Sequence, residues 1–213
     1  MSKPVWIYAW GAALILLAVA FFAAGQLQDS GWLSLIPPAS EANPNPKPDV
    51  AEGQALPLYQ AAFTAWAVVL LLIPAFATVW RRHKVVASQV WLAFWTASWG
   101  AYIVHLYVSA FWFFGGDFQA MINSTRVSAF WPGMVIAVWW PLDILLALKG
   151  VAERGWVWMQ RVVIHLLVLV LFVGGSTVMG ELMTIKIIGA LLLGVAALAM
   201  VRWFILGRGQ VRP

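Results

Sequence analysis

Six stretches of this chain are apolar over roughly the 20 residues that a helix needs to cross the hydrocarbon core of a bilayer. They are residues 5–24, 59–80, 86–114, 131–148, 157–179 and 183–206. The first two hold no charged side chain at all. The others hold very few: His105 in the third, Asp143 in the fourth, Arg161 and His165 in the fifth, Lys186 and Arg202 in the sixth. A chain patterned this way must satisfy its backbone polar groups internally, and in lipid only helices and closed barrels do that. The length of the runs selects helices. The expected fold is therefore all-α: a polytopic integral membrane protein, residues 1–213 forming a single membrane domain with a bundle of six transmembrane helices.

The charges between the runs set the orientation. One set of connections and ends carries Lys3, Arg81, Arg82, Lys84, Lys149, Arg154, Arg161, Arg202, Arg208 and Arg212; the other carries only Lys47, Arg126 and Lys186. Basic residues collect on the cytoplasmic side, so both termini are expected there, in a bacterial-type inner membrane. The net charge of +5 is thereby a topology signal. Nucleic acid is excluded as a partner, because the Lys and Arg residues are not gathered on one solvated face. The first run ends in Ala23-Ala24-Gly25, small residues of the kind that a signal peptidase uses, but it is longer than a signal peptide's apolar region, which argues for a retained helix.

Residues 26–58 break the pattern. Pro37-Pro38 and Asn43-Pro44-Asn45-Pro46-Lys47-Pro48 exclude helix and favour extended geometry, so this segment reads as a proline-rich extracytoplasmic loop, expected to be either disordered or a contact surface for a partner. With no cysteine in the chain, disulfides, iron–sulfur clusters and thiolate metal sites are excluded. Motifs for hydrolase or nucleotide-driven chemistry are missing as well: there is no His-Glu-x-x-His, no Gly-x-Ser-x-Gly and no phosphate-cradling glycine loop. No catalytic residue and no dedicated metal site is expected, and an enzyme is the less favoured class.

The residues that draw attention lie in the hairpin of the third and fourth runs, expected to be the core of the bundle. Trp95, Ser98, Tyr102, His105, Ser109 and Trp112 alternate at three- and four-residue spacing and fall on one helical stripe. His105 lies roughly 13 Å from the outer end of its helix. It is a candidate for haem ligation, for proton relay or for a hydrogen bond to a quinone-like headgroup; its bland alternative is a bond to a backbone carbonyl, Tyr102 or Ser109. Asp143 and His165 count to similar depths from the cytoplasmic side, with Arg161 one turn from His165, which suggests an Asp143–His165 pair with Arg161 reaching toward it. His105 and His165 could both ligate one haem b only if a strong tilt equalised depths that differ by roughly 4 to 10 Å. Asp117, Arg126, Glu181 and Lys186 form an expected charge cluster at the outer surface.

Tryptophan occurs 15 times, and the six at positions 91, 95, 99, 112, 139 and 140 exceed what interface belts require. They read either as packing or as walls for a flat ligand. The functional expectation is a non-catalytic integral subunit or accessory protein of a membrane assembly, of the redox or electron-transfer kind, with a membrane-protein partner in the lipid bilayer. It would hold a quinone, haem or lipid against this Trp-rich hairpin. The alternative is a small proton-coupled solute carrier or channel using His105 and Asp143.

Overall fold

The computed structural model describes residues 3–27, 55–79, 88–124, 130–152, 154–178 and 183–208. All regular structure among them is helical: α1 (Lys3–Leu27), α2 (Ala55–Val79), α3 (Gln89–Tyr107), α4 (Phe118–Asn123), α5 (Phe130–Leu148), α6 (Gly155–Val173) and α7 (Met183–Arg208). Two π-helical segments extend them, Val108–Phe113 after α3 and Gly174–Val178 after α6. Both ends of the expected 26–58 loop are helical, through Leu27 in α1 and from Ala55 in α2. Its proline-rich centre, the basic turn at 81–84, Arg126 and Glu181 lie outside the described residues.

Four helices are long and apolar enough to cross a membrane: Pro4–Leu27, Ala55–Val79, Phe130–Leu148 and Gly155–Ser176. The chain is in that sense compatible with a membrane protein. α3 is not among the four, because Gln89, Thr96, Ser98, Tyr102 and His105 dilute its apolar character. It runs without a break into the π segment, however, so the continuous helical path reaches Phe113.

Helix packing forms a ring. α2 packs on α3, α3 on α5, α5 on α6, α6 on α7, and α7 returns to α2, while α1 lies outside against α2 and α3. The middle of the ring is filled by side chains from four of these helices. Phe76 of α2, Trp95 of α3, Trp140 of α5 and His165 of α6 are all buried, with neighbouring ring centroids between 3.9 and 6.2 Å apart. Tyr102 and Phe172 continue the filling, their rings edge to face at 5.7 Å.

α1 attaches by a seam of small side chains. Ala9, Ala13, Ala20 and Ala24 fall at helical spacing on its buried face, whereas Ile7, Leu14, Ile15, Val19 and Phe22 are exposed on the other. Small residues let two backbones approach closely, which is how helices associate where lipid is as apolar as protein. Gly100 of α3 serves the same contact: a methyl group there would stand 2.8 Å from Cη2 of Trp10, so the indole of α1 occupies the space that a Cβ would need.

The hairpin of the third and fourth apolar runs supplies the largest fully buried side chains, Trp91, Trp95 and Trp140, yet among the four membrane-length apolar helices α2 is the most enclosed, with 56% of its apolar stretch inside the protein against 33% for α5. The reason is physical: hydropathy cannot rank burial in a chain whose lipid-facing surface is as apolar as its interior.

Candidate functional site: a buried donor network on α3

Asp143 sits on α5 and is completely buried. Three donors surround its carboxylate. Oδ1 accepts from Arg161 Nε at 2.9 Å and from Gln160 Nε2 at 2.7 Å, and Oδ2 accepts from Trp95 Nε1 at 3.1 Å. Gln160 turns its other end to Trp139, whose Nε1 donates to Oε1 at 3.1 Å. The expected depth match between α5 and α6 is thus realised as an ion pair between Arg161 and Asp143, with the two side chains 6% and 0% exposed.

His165 has other partners. Trp91 Nε1 donates to His165 Nε2 at 2.9 Å, and an indole N–H can only donate, so Nε2 carries a lone pair. Nδ1 lies 2.7 Å from the Arg161 carbonyl and therefore bears the proton. The imidazole is held as a neutral Nδ1–H tautomer. It stacks on Trp95 at 3.9 Å with the planes 8° apart, and Trp95 in turn lies 4.4 Å from Trp140. The Arg161 guanidinium stands 4.6 Å over Trp91, a cation–π contact that adds to the ion pair.

Seen along α3, these bonds are successive rungs. Trp91 donates to His165 on α6; Trp95, Trp99 and Tyr102 donate to α5, at Asp143 Oδ2, the Ala137 carbonyl (3.4 Å) and the Gly133 carbonyl (2.9 Å). Positions 91, 95, 99 and 102 share one face of α3, and the antiparallel run of α5 presents its acceptors in reverse order. The middle rung has a local cause. Pro141 lacks an N–H, so the Ala137 carbonyl four residues earlier loses its helical donor, and the Trp99 indole supplies one. Gly133 is also needed: a Cβ there would come within 3.0 Å of the Tyr102 hydroxyl. Trp140 is the exception, buried with its Nε1 lacking an acceptor among the described residues.

His105 stands apart, further along α3 and partly exposed. Its Nδ1 lies 2.9 Å from the Ala61 carbonyl of α2 and 3.4 Å from Thr64 Oγ1. Its ring runs nearly parallel to that of Tyr102 at 6.1 Å.

Several expectations change. His165 does not form the ion pair with Asp143; Arg161 does. Nor can His165 share a haem with His105, since Trp91 and the Arg161 carbonyl occupy both of its ring nitrogens and leave no lone pair for iron. Ser109 is buried, but Trp112 leaves the stripe and is 47% exposed, against Phe21 of α1. The π segment causes this: the Phe114 N–H reaches back five residues to the Ser109 carbonyl, and the extra residue in the turn rotates the side chains beyond it about the helix axis. A flat ligand loses its Trp walls, because Trp91, Trp95 and Trp140 are sealed among one another, His165 and Tyr102. Of the expected outer charge cluster, Asp117 caps α4, accepting from Ala120 N at 2.9 Å, and Lys186 is exposed on α7, while Arg126 and Glu181 lie outside the described residues.

Gln160, Thr64 and the donor roles of Trp91, Trp95, Trp99 and Trp139 were not anticipated. A signal existed for them: an indole N–H in a membrane-length helix needs an acceptor, and Asp143, Gln160 and His165 are the acceptors on offer. No group of three or more His, Cys, Asp or Glu side chains suited to a metal ion occurs among the described residues. No protein-family model, curated protein or solved structure matches this chain.

Proposed function

We propose that this chain is a non-catalytic integral subunit or accessory protein of a larger membrane assembly, crossing a bacterial-type inner membrane six times with both termini on the cytoplasmic side. The observation that carries the reading is the closure of the buried network. Asp143, Gln160, Arg161 and His165 are engaged by one another and by the indole donors Trp91, Trp95 and Trp139, so the side chains best suited to chemistry serve to hold α3, α5 and α6 together. A carrier using Asp143 needs that carboxylate to exchange its partners for a solute, whereas three donors hold both of its oxygens. Support for six crossings comes from the unbroken helical path through α3 to Phe113, from the 26 residues of α7 and from the distribution of basic residues.

Two experiments test this. Crosslinking in native membranes, followed by purification, is expected to recover a stoichiometric membrane partner that survives His105→Ala. A partnerless chain that carries out pH-dependent solute uptake, lost in Asp143→Asn, would overturn the reading. Because the chain has no cysteine, single-cysteine variants report topology directly. Lys149→Cys should react with an impermeant maleimide only after permeabilisation and Gln119→Cys without it; the reverse pattern refutes the orientation.

A further inference from the structure

Four oxidisable rings stand in one row among the helices. Trp91, Trp95, Trp140 and Tyr102 are each at most 2% exposed, and consecutive ring centroids lie 6.2, 4.4 and 5.9 Å apart. Trp91 is the third residue of α3, so the row opens roughly 3 Å from that helix end. In a chain without cysteine, indoles and phenols are the side chains that most readily give up a single electron, and rings this close exchange it among themselves. What differs along the row is the charge beside each ring.

Loss of one electron makes a ring positive, and a positive ring is stabilised by a nearby anion and destabilised by a nearby cation. Trp91 has the Arg161 guanidinium 4.6 Å over its face, a contact that attracts a neutral ring and repels an oxidised one. Trp140 Nε1 meets no acceptor among the described residues. Tyr102 donates to the Gly133 carbonyl, and an oxidised phenol must release its proton, which a carbonyl oxygen does not take. Trp95 differs from all three. Oδ2 of the Asp143 carboxylate lies 3.1 Å from its Nε1, and the neutral His165 imidazole, stacked 3.9 Å away, spreads the charge further.

We infer that Trp95 is a one-electron redox site, where an oxidising equivalent reaching this chain comes to rest as an indole radical cation paired with the Asp143 carboxylate. One electron leaves the indole π system for an outer-sphere oxidant such as an oxidised metal complex, which is reduced by it, and no bond breaks. The proton stays on Nε1, because its transfer to Oδ2 would discharge the carboxylate that neutralises Arg161, whose side chain is only 6% exposed. The site requires neither a bound ligand nor a given number of membrane crossings, so it stands or falls separately from the subunit reading.

The full chain in lipid nanodiscs tests it, with photogenerated tris(bipyridine)ruthenium(III) as the oxidant and 5-fluorotryptophan placed at one position at a time. The fluorine leaves the N–H and nearly the whole shape of the indole in place, so the fold is kept. Electron paramagnetic resonance of the longest-lived radical, frozen after the flash, should show a fluorine splitting with the label at position 95 and none with it at 91 or 140. Electron–nuclear double resonance should find a strongly coupled proton on the indole nitrogen. Trp95→Phe should abolish the long-lived signal. A fluorine splitting from position 91 or 140, a radical lacking the nitrogen-bound proton, or a long-lived signal that survives Trp95→Phe would each overturn the inference. So would a chain whose radicals all decay as fast as those of free tryptophan.

Discussion

Replacing Asp143 by Asn keeps the shape of the side chain and removes its charge. The structure says which way the amide must then point. With Oδ1 retained, Gln160 and Arg161 keep their acceptor and the new NH2 group faces only Trp95 Nε1, donor against donor; turned over, it would confront both Gln160 and Arg161. The first orientation is expected, at the loss of the Trp95 rung. The larger effect is electrostatic, because a guanidinium that is 6% exposed loses the carboxylate that neutralises it. Breaking a buried pair from one side costs about 3 to 5 kcal/mol, and both groups are too enclosed for solvent screening to reduce this much. Reversible unfolding in mixed detergent micelles measures the quantity directly. The double variant Asp143→Leu/Arg161→Met supplies the control, since replacing both partners with apolar groups of similar volume is often neutral or better. A destabilised single variant and a largely restored double variant are expected, with a coupling energy above about 2 kcal/mol. If Asp143→Asn unfolds within about 0.5 kcal/mol of the parent chain, the network does not hold the helices together and the structural reading of it fails.

Two further outcomes separate rungs from fillers. Trp95→Phe deletes the donor to Asp143 Oδ2, whereas Trp140→Phe deletes a buried N–H that has no acceptor among the described residues, so in the same unfolding assay Trp95→Phe should be the more destabilising, by about 1 to 3 kcal/mol. Pro141→Ala returns a helical donor to the Ala137 carbonyl, so Trp99→Phe should destabilise the Pro141→Ala background less than the parent; equal effects in both would show that the 3.4 Å contact is incidental.

How much of this could be read in advance varies by residue. The helical class followed from run lengths alone, since backbone polar groups in lipid leave few alternatives. Depth counting set Asp143, Arg161 and His165 near one level, but depth says nothing about azimuth. That is why the arginine, and not the histidine, turned out to hold the carboxylate. Gln160 went unnoticed because it looks like an ordinary polar residue near a helix end, yet it links Asp143 to Trp139. The π segment had no local signature: Val108 to Phe113 reads like any apolar helix, and only the Phe114 to Ser109 bond reveals why Trp112 swings outward. The three-residue-plus-four pattern on α3 was visible, but its meaning was not, because an aromatic stripe looks the same whether its N–H groups serve a ligand or a neighbouring helix.

That stripe has a consequence for how the molecule is made. α3 leaves the ribosome well before α5 and α6, and the acceptors for Trp91, Trp95, Trp99 and Tyr102 all come from those later segments. Until they arrive, the donors of this helix lack partners, and it is also less apolar than the four helices able to cross by composition. On the six-crossing reading proposed above, its insertion into the bilayer is therefore conditional on downstream sequence. A nascent chain cut before Phe130 should leave this segment uninserted, and extension past His165 should draw it in.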